Sequence, residues 1–294
     1  MARAEARLAV IGGSGLYQME GLKGVQEVRL TTPFGAPSDA LVVGELEGVA
    51  VAFLPRHGRG HRLSPSELPV RANIYALKLL GVERVISISA VGSLKEEVRP
   101  LDLVVPDQLI DRTRERPRTF FEGGIVAHIS FADPFCPDLG RLLAEAAQEV
   151  AGPSGRHVHS GGTYVVIEGP AFSTRAESHL FRSWGAAVIG MTALPEARLA
   201  REAEMCYATL ACATDYDVWH PAHGEVTVEM VVANLQKNVA TSQEVLRRLI
   251  PRIPAEKRGC PCASALKNAI ITAPDRIPRQ VRERLGPIIG RYLS

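Results

Sequence analysis

Short apolar runs rich in β-branched residues recur along this chain, and most stop abruptly at small, polar or charged residues. LAVI (8–11) ends in Gly12-Gly13-Ser14-Gly15, VAVAFL (49–54) in Pro55-Arg56-His57-Gly58, and RVISIS (84–89) in Ala90-Val91-Gly92-Ser93. TYVVI (163–167) ends in Glu168-Gly169-Pro170, AAVIG (186–190) in Met191-Thr192, and YATLACA (207–213) in Thr214-Asp215-Tyr216-Asp217. LVVGEL (41–46) and LDLVVP (101–106) are of the same kind. Runs this short and this apolar predict strands, several of them buried on both faces.

Helical patterns fall between the runs. Ser64-Pro65-Ser66-Glu67 resembles a capping box and predicts a helix reaching about Leu80. Others are expected over 137–150, 174–184, 195–205 (with Pro195 in its first turn) and 227–250. Strands alternating with helices specify an α/β fold whose sheet is covered on both faces. No repeat, low-complexity tract or long linker divides the chain. Residues 1–254 therefore read as one domain. Residues 255–294 read as a C-terminal extension packed on it or on a neighbouring subunit. In open α/β sheets ligands bind beyond the C-terminal strand ends. Six such ends on one side would converge on a single site.

Charge narrows the choice of ligand. Lys plus Arg number 34 against 32 for Asp plus Glu, a net +2 that gives no electrostatic case for nucleic acid or an anionic membrane. The N-terminus holds only four apolar residues before its glycines, and no stretch approaches the roughly 18 of a membrane span. A cytoplasmic protein is expected. Of five cysteines, Cys136, Cys206 and Cys212 lie in apolar surroundings that suit buried thiols. Cys260 and Cys262 form a Cys-Pro-Cys without a second pair at zinc-site spacing, so no metal is expected, while a disulfide is compatible. The pairs His157/His159 and His220/His223 lack a third ligand in the sequence and read as surface residues.

The strand ends carry the chemistry. A G-x-G-x-x-G fingerprint beginning at Gly13 fails at Gln18, which leaves either an anion-cradling loop around Ser14 or a plain glycine turn. Arg56-His57-Gly58-Arg59-Gly60-His61 offers a guanidinium able to grip phosphate through two parallel N–H bonds, or else a solvated basic loop. With Ser14, Ser89 and Thr192 it would form a phosphate cup. Asp215 and Asp217 flank a strand end where burial raises a carboxyl pKa, or where aspartates cap a turn. Met191, Phe172 and Phe135 fit core packing, as do Val228, Val231 and Val232 on the long helix.

Together, IGGSGL (11–16), TPFGAPSDAL (32–41), PRHGRGH (55–61), RANIYALK (71–78) and the run 89–113 resemble the 5′-methylthioadenosine phosphorylases of the purine nucleoside phosphorylase superfamily. ADPFCP (132–137), IEGPAFSTRAES (167–178), MTALPEARLARE (191–202) and the run 206–219 carry the same resemblance, which covers roughly residues 8–250. It implies a single α/β domain on a mixed, partly barrel-like sheet, trimeric or hexameric assembly, and no metal or organic cofactor. It places Ser14, Arg56, His57, Ser89, Ala90 (through its backbone) and Thr192 at phosphate. Met191 matches the ribose contact, Phe172 the purine wall, and Asp215 and Asp217 the pair that reads N7 and the 6-amino group. Val228 and Val232 match the lining of the 5′-methylthio pocket, and His128 a residue lent by the neighbouring subunit. Ala171 departs from the family, which often has arginine there, and Cys260-Pro-Cys262 resembles the C-terminal CxC of heat-stable members.

The implied reaction is phosphate-dependent cleavage of 5′-methylthioadenosine to adenine and 5-methylthioribose-1-phosphate, with protonated Asp215 as acid and adenosine as a secondary substrate. Three rivals remain. A phosphorylase for 6-oxopurine nucleosides or methylthioinosine would not suit Asp215 and Asp217. A nucleosidase using water would not need the Arg56 cup, and a non-catalytic nucleoside-binding module would release no adenine.

Overall fold

The structure, a computed structural model, describes residues 5–13, 15–16, 18–221, 228–255 and 258–293. Its apolar runs become β1 (Leu8–Gly12), β3 (Leu41–Leu46), β4 (Val49–Pro55), β5 (Arg84–Ser93), β9 (Thr163–Ile167), β10 (Val188–Gly190) and β11 (Cys206–Asp215). The run 101–106 is strand only over β6 (Leu103–Val105). Three strands carry too little apolar pattern to stand out in the sequence: β2 (Lys23–Val28), β7 (Gln108–Arg112) and β8 (Val158–Ser160). β2 is exposed along nearly its whole length, so no buried face disciplines its sequence.

β5 organises the sheet. It pairs in parallel with β1 and with β11 along most of its length, and in antiparallel fashion with β10 near its end. One path runs β2-β3-β4-β1-β5-β10-β9-β7, while β11 leads from β5 through β6 to β8. A strand with three partners forces the sheet to fork and curl, giving the mixed, partly closed architecture. Three buried clusters surround the sheet, the two largest on its opposite sides. The larger spans β1, β4, β9 and β11; the smaller packs α2 (Pro137–Ala151) and α5 (Val228–Leu249) against the other face. α2 buries Leu139, Leu143, Ala146 and Ala147, the stripe a 3.6-residue period predicts.

Helix α1 corrects the sequence reading. Ser64 does bond Glu67 in capping-box manner, yet the helix runs Val70–Leu79. Pro69 is the cause, because a proline drives the residue before it out of the α region. α3 (Arg175–Ser183) opens on a complete capping box from Thr174 and Glu177. α4 (Ala193–Glu202) has Leu194 out of helical conformation, so its regular turns begin at Pro195. α6 (Arg279–Ile289), unforeseen, sends Val281, Leu285, Ile288 and Ile289 into the same core as the sheet. No helix among the described residues is long and apolar enough to cross a membrane.

Candidate active site

The convergence of strand ends is real, but its geometry differs from a single edge. β4, β1, β5 and β11 run parallel and open the same way; β9 and β10 run against β5 and arrive from the opposite side. The two sets meet because β5 is ten residues long and passes between them. A cavity of about 330 Å³ lies at the meeting point. Arg56, His57, Ser89, Ala90, Met191 and Thr192 line it, as do Phe172, Asp215 and Asp217.

Arg56 lies at the floor, 3% exposed, and it is held rather than free. Its Nε donates to Glu196 Oε1 at 2.6 Å and its Nη2 to Ser87 Oγ at 2.7 Å and Glu196 Oε2 at 3.2 Å. Nη1 donates to the Ile88 carbonyl at 2.9 Å. A guanidinium has five N–H groups, so the described residues leave one Nη1–H uncommitted. The bidentate grip expected from sequence is therefore spent on Glu196. That carboxylate also accepts from the Tyr207 hydroxyl at 2.8 Å and from Ser87 at 3.3 Å. Sequence reasoning missed Glu196, Ser87 and Tyr207. Within ALPEARLARE, Glu196 looks like one more surface charge, yet α4 buries it.

Two hydroxyls and an imidazole complete this end. Ser89 Oγ and Thr192 Oγ1 lie 3.0 Å apart. His57 Nδ1 faces the Leu63 carbonyl at 2.8 Å, which can only accept, so Nδ1 carries the proton and Nε2 keeps a lone pair. Burial and the neighbouring Arg56 charge lower the His57 pKa to about 4, which makes the ring neutral at pH 7.

At the other end, β11 bulges between Ala213 and Asp215 as it passes Gly92. A Cβ on Gly92 would sit 3.0 Å from Asp215 Oδ1, so only glycine lets the carboxylate lie this close to β5. Asp215 Oδ1 accepts from the Asp217 N–H at 2.8 Å and Oδ2 from Thr214 Oγ1 at 2.6 Å. Burial raises the Asp215 pKa against the pull of those two bonds; burial and the adjacent Asp215 charge raise that of Asp217. Asp217 Oδ2 is buried without a partner among the described residues. An unpaired buried acceptor costs about 1–3 kcal/mol, a cost that an incoming donor would relieve.

Between the two ends sits Met191. The buried Arg116 guanidinium donates to the Met191, Leu194, Ile167 and Glu168 carbonyls and pairs with the Glu168 carboxylate at 3.2 Å. It ties the end of β9 to the turn after β10. Gly169, at φ 68°, passes so close to Met191 that a Cβ would meet its sulfur at 2.5 Å.

Other expected residues stand apart. Ser14 lies outside the described residues, as does the side chain of Val228. Val232 is 44% exposed and does not line the cavity, which corrects its assignment to core; Leu235, Asn238, Val239 and Ser242 line it from the same helix. His128 lies on a separate hollow with Asp133, Phe135 and Lys267. Cys136 and Cys206, distant in sequence and buried as expected, fold onto Cys260 and Cys262 and bring a second pair of thiols to them, which their sequence spacing does not disclose.

The profile of the phosphorylase superfamily matches residues 7–251. The chain belongs to that superfamily. The S-methyl-5′-thioadenosine phosphorylase of Chloroflexus aurantiacus is 61% identical over 290 residues, covering 98% of this chain and 99% of that protein. That of Gloeobacter violaceus is 58% identical over 292 residues, covering 99% and 98%. Among solved structures, a methylthioadenosine phosphorylase from an Antarctic soil metagenomic library matches with a TM-score of 0.92 at 49% identity, covering 97% of this chain and 99% of that one.

Proposed function

We propose that this protein cleaves 5′-methylthioadenosine with inorganic phosphate, giving adenine and 5-methylthioribose-1-phosphate. The observation that carries the reading is one cavity lined both by Arg56 with the Ser89 and Thr192 hydroxyls and by the buried carboxyl pair Asp215 and Asp217. Relatives covering the whole chain bear the same activity in their names.

Phosphate is expected to sit against the free Nη1–H of Arg56, the Ser89 and Thr192 hydroxyls, the Ala90 backbone and Ser14. Neutral His57 would accept, through Nε2, from a protonated phosphate oxygen. Arg56 is already neutralised by Glu196, so the floor binds through aimed dipoles more than through net charge. Cleavage of the C1′–N9 bond builds positive charge on the ribose, which the phosphate below it stabilises before attacking C1′. Negative charge building on the purine is quenched by a proton from Asp215 to N7. The Thr214 hydroxyl makes this feasible: it also reaches the Val91 carbonyl at 3.2 Å, and turning there frees Asp215 Oδ2 to hold a proton.

Asp217, through its unpartnered oxygen, would accept from the 6-amino group. A 6-oxo group would meet it lone pair to lone pair, disfavouring inosine-type substrates. Phe172 would cover the purine and Met191 the ribose. Leu235 and Val239, in place of Val232, would form the apolar wall around the 5′-methylthio group. Adenosine would be a secondary substrate, and no cofactor is required by this chemistry. The working form would be a cytoplasmic homo-oligomer in which His128 of one copy approaches the site of the next.

The test is adenine release from methylthioadenosine followed in the ultraviolet. Release that requires phosphate and yields the sugar phosphate supports the reading. Release at equal rate in phosphate-free buffer, or none at all, refutes it.

A further inference from the structure

Four of the five cysteines meet at one point far from one another in sequence. The sulfur atoms of Cys136, Cys206, Cys260 and Cys262 all lie within 4.8 Å of one another, and all four residues are buried. Every pair of sulfurs falls under that one limit, so the group is a compact four-cornered cluster and not two separate pairs. The Cys206 and Cys260 sulfurs are 3.3 Å apart. A disulfide requires about 2.0 Å. A tetrahedron of thiolates at about 2.3 Å from one zinc ion spaces its sulfurs about 3.8 Å apart. A sulfide-bridged iron cluster would push them wider still.

The surroundings suit thiolates rather than thiols. Cys136 occupies the N-cap of α2, where unpaired backbone N–H groups and the helix dipole favour negative charge. Arg258, anchored on the Glu83 and Glu204 carbonyls, places Nη1 4.0 Å from the Cys206 sulfur. A tetrathiolate zinc site carries a net charge of −2, and this fixed guanidinium offsets part of it. Cys212, the fifth cysteine, sits elsewhere, against Ser242.

We propose that Cys136, Cys206, Cys260 and Cys262 form a structural tetrathiolate site for one zinc ion. Binding releases the thiol protons and oxidises nothing. With four protein ligands the ion has no open position, so its role is architectural. It fastens three parts of the chain together: the start of β11, the start of α2 and the segment that leads to α6. That segment carries Leu266, Ile277 and Leu285 into the main core. Metal loss is therefore expected to loosen residues 258–293 while leaving the cavity's own residues in place.

The test uses the full chain purified under reducing conditions. Elemental analysis should give one zinc per chain. Exchange for Co²⁺ should produce the strong visible and near-ultraviolet bands of a tetrahedral cobalt tetrathiolate. Cys260→Ser with Cys262→Ser should abolish stoichiometric zinc and lower the melting temperature by several degrees; the cobalt spectrum of the unaltered chain stands even where that variant does not fold. The proposal is overturned by a metal-free chain whose four thiols all react with alkylating reagent after incubation with excess Zn²⁺. It is equally overturned by a chain lighter by four hydrogens, the signature of two disulfides. Adenine release is measured in parallel, so a failure here is distinguishable from a failure of the phosphorolysis reading.

Discussion

The two ends of the cavity handle charge in opposite ways. At the end proposed for phosphate, Arg56 and Glu196 are both almost wholly buried and paired, with Ser87, Tyr207 and the Ile88 carbonyl taking further bonds and one Nη1–H left over. At the end proposed for the purine, Asp215 and Asp217 are buried, among the described residues no cation pairs with them and one oxygen has no partner, and their pKa values are raised. A group that must stay charged and still is fixed by pairing. A group that must gain and give a proton is left under-paired, because a salt bridge would lock it as a carboxylate. In the proposed reaction, stability concentrates at one end of the site and reactivity at the other.

The sharpest way to break this comparison is to remove the paired partner. Glu196→Ala strands the Arg56 charge in the core and is expected to cost about 3–5 kcal/mol in denaturant unfolding. A loss under about 1 kcal/mol would mean the floor is not held by that pair. At the reactive end, Asp215→Asn keeps the shape but not the acid. It should lower kcat by roughly 10²–10⁴ with little change in unfolding free energy. Asp217→Asn tests recognition instead. Presenting an amide N–H to the 6-position should move the ratio of methylthioadenosine to methylthioinosine turnover about 10–100-fold towards the oxo base. An unchanged ratio would remove Asp217 from base selection.

The smallest effect concerns pH. His57 has a folded pKa of about 4 against an ordinary 6.5, so the unfolded chain takes up its proton first as pH falls. Its contribution to stability is complete above pH 6.5 and drains away between there and about pH 4. Unfolding measured across that window should show a shallower slope in His57→Gln; an identical slope would place the dependence on other groups.

What the sequence discloses divides along the same line. Strand ends are legible because burial imposes apolar runs and the cavity imposes small or polar residues right after them, as at Gly12, Arg56, Ser89 and Thr214. Polar groups that work from inside the core are not. Glu196, Arg116 and Tyr207 carry no periodic signature, since their partners lie on other elements and only folding brings them together. The cysteine cluster is hidden for the same reason: spacings of 136, 206 and 260 suggest nothing until β11, α2 and the C-terminal segment meet. The start of helix α1 is not legible either, because Ser64 and Glu67 do bond each other while Pro69 delays the helix itself.

The central claim is that the base leaves only when N7 receives a proton from the under-paired carboxyl end. The 7-deaza analogue of methylthioadenosine keeps the shape and the 6-amino group but has carbon where N7 would be. With saturating phosphate, the account predicts that it binds competitively and is cleaved at least about 10²-fold more slowly than methylthioadenosine. Cleavage of the two at similar rates would contradict it.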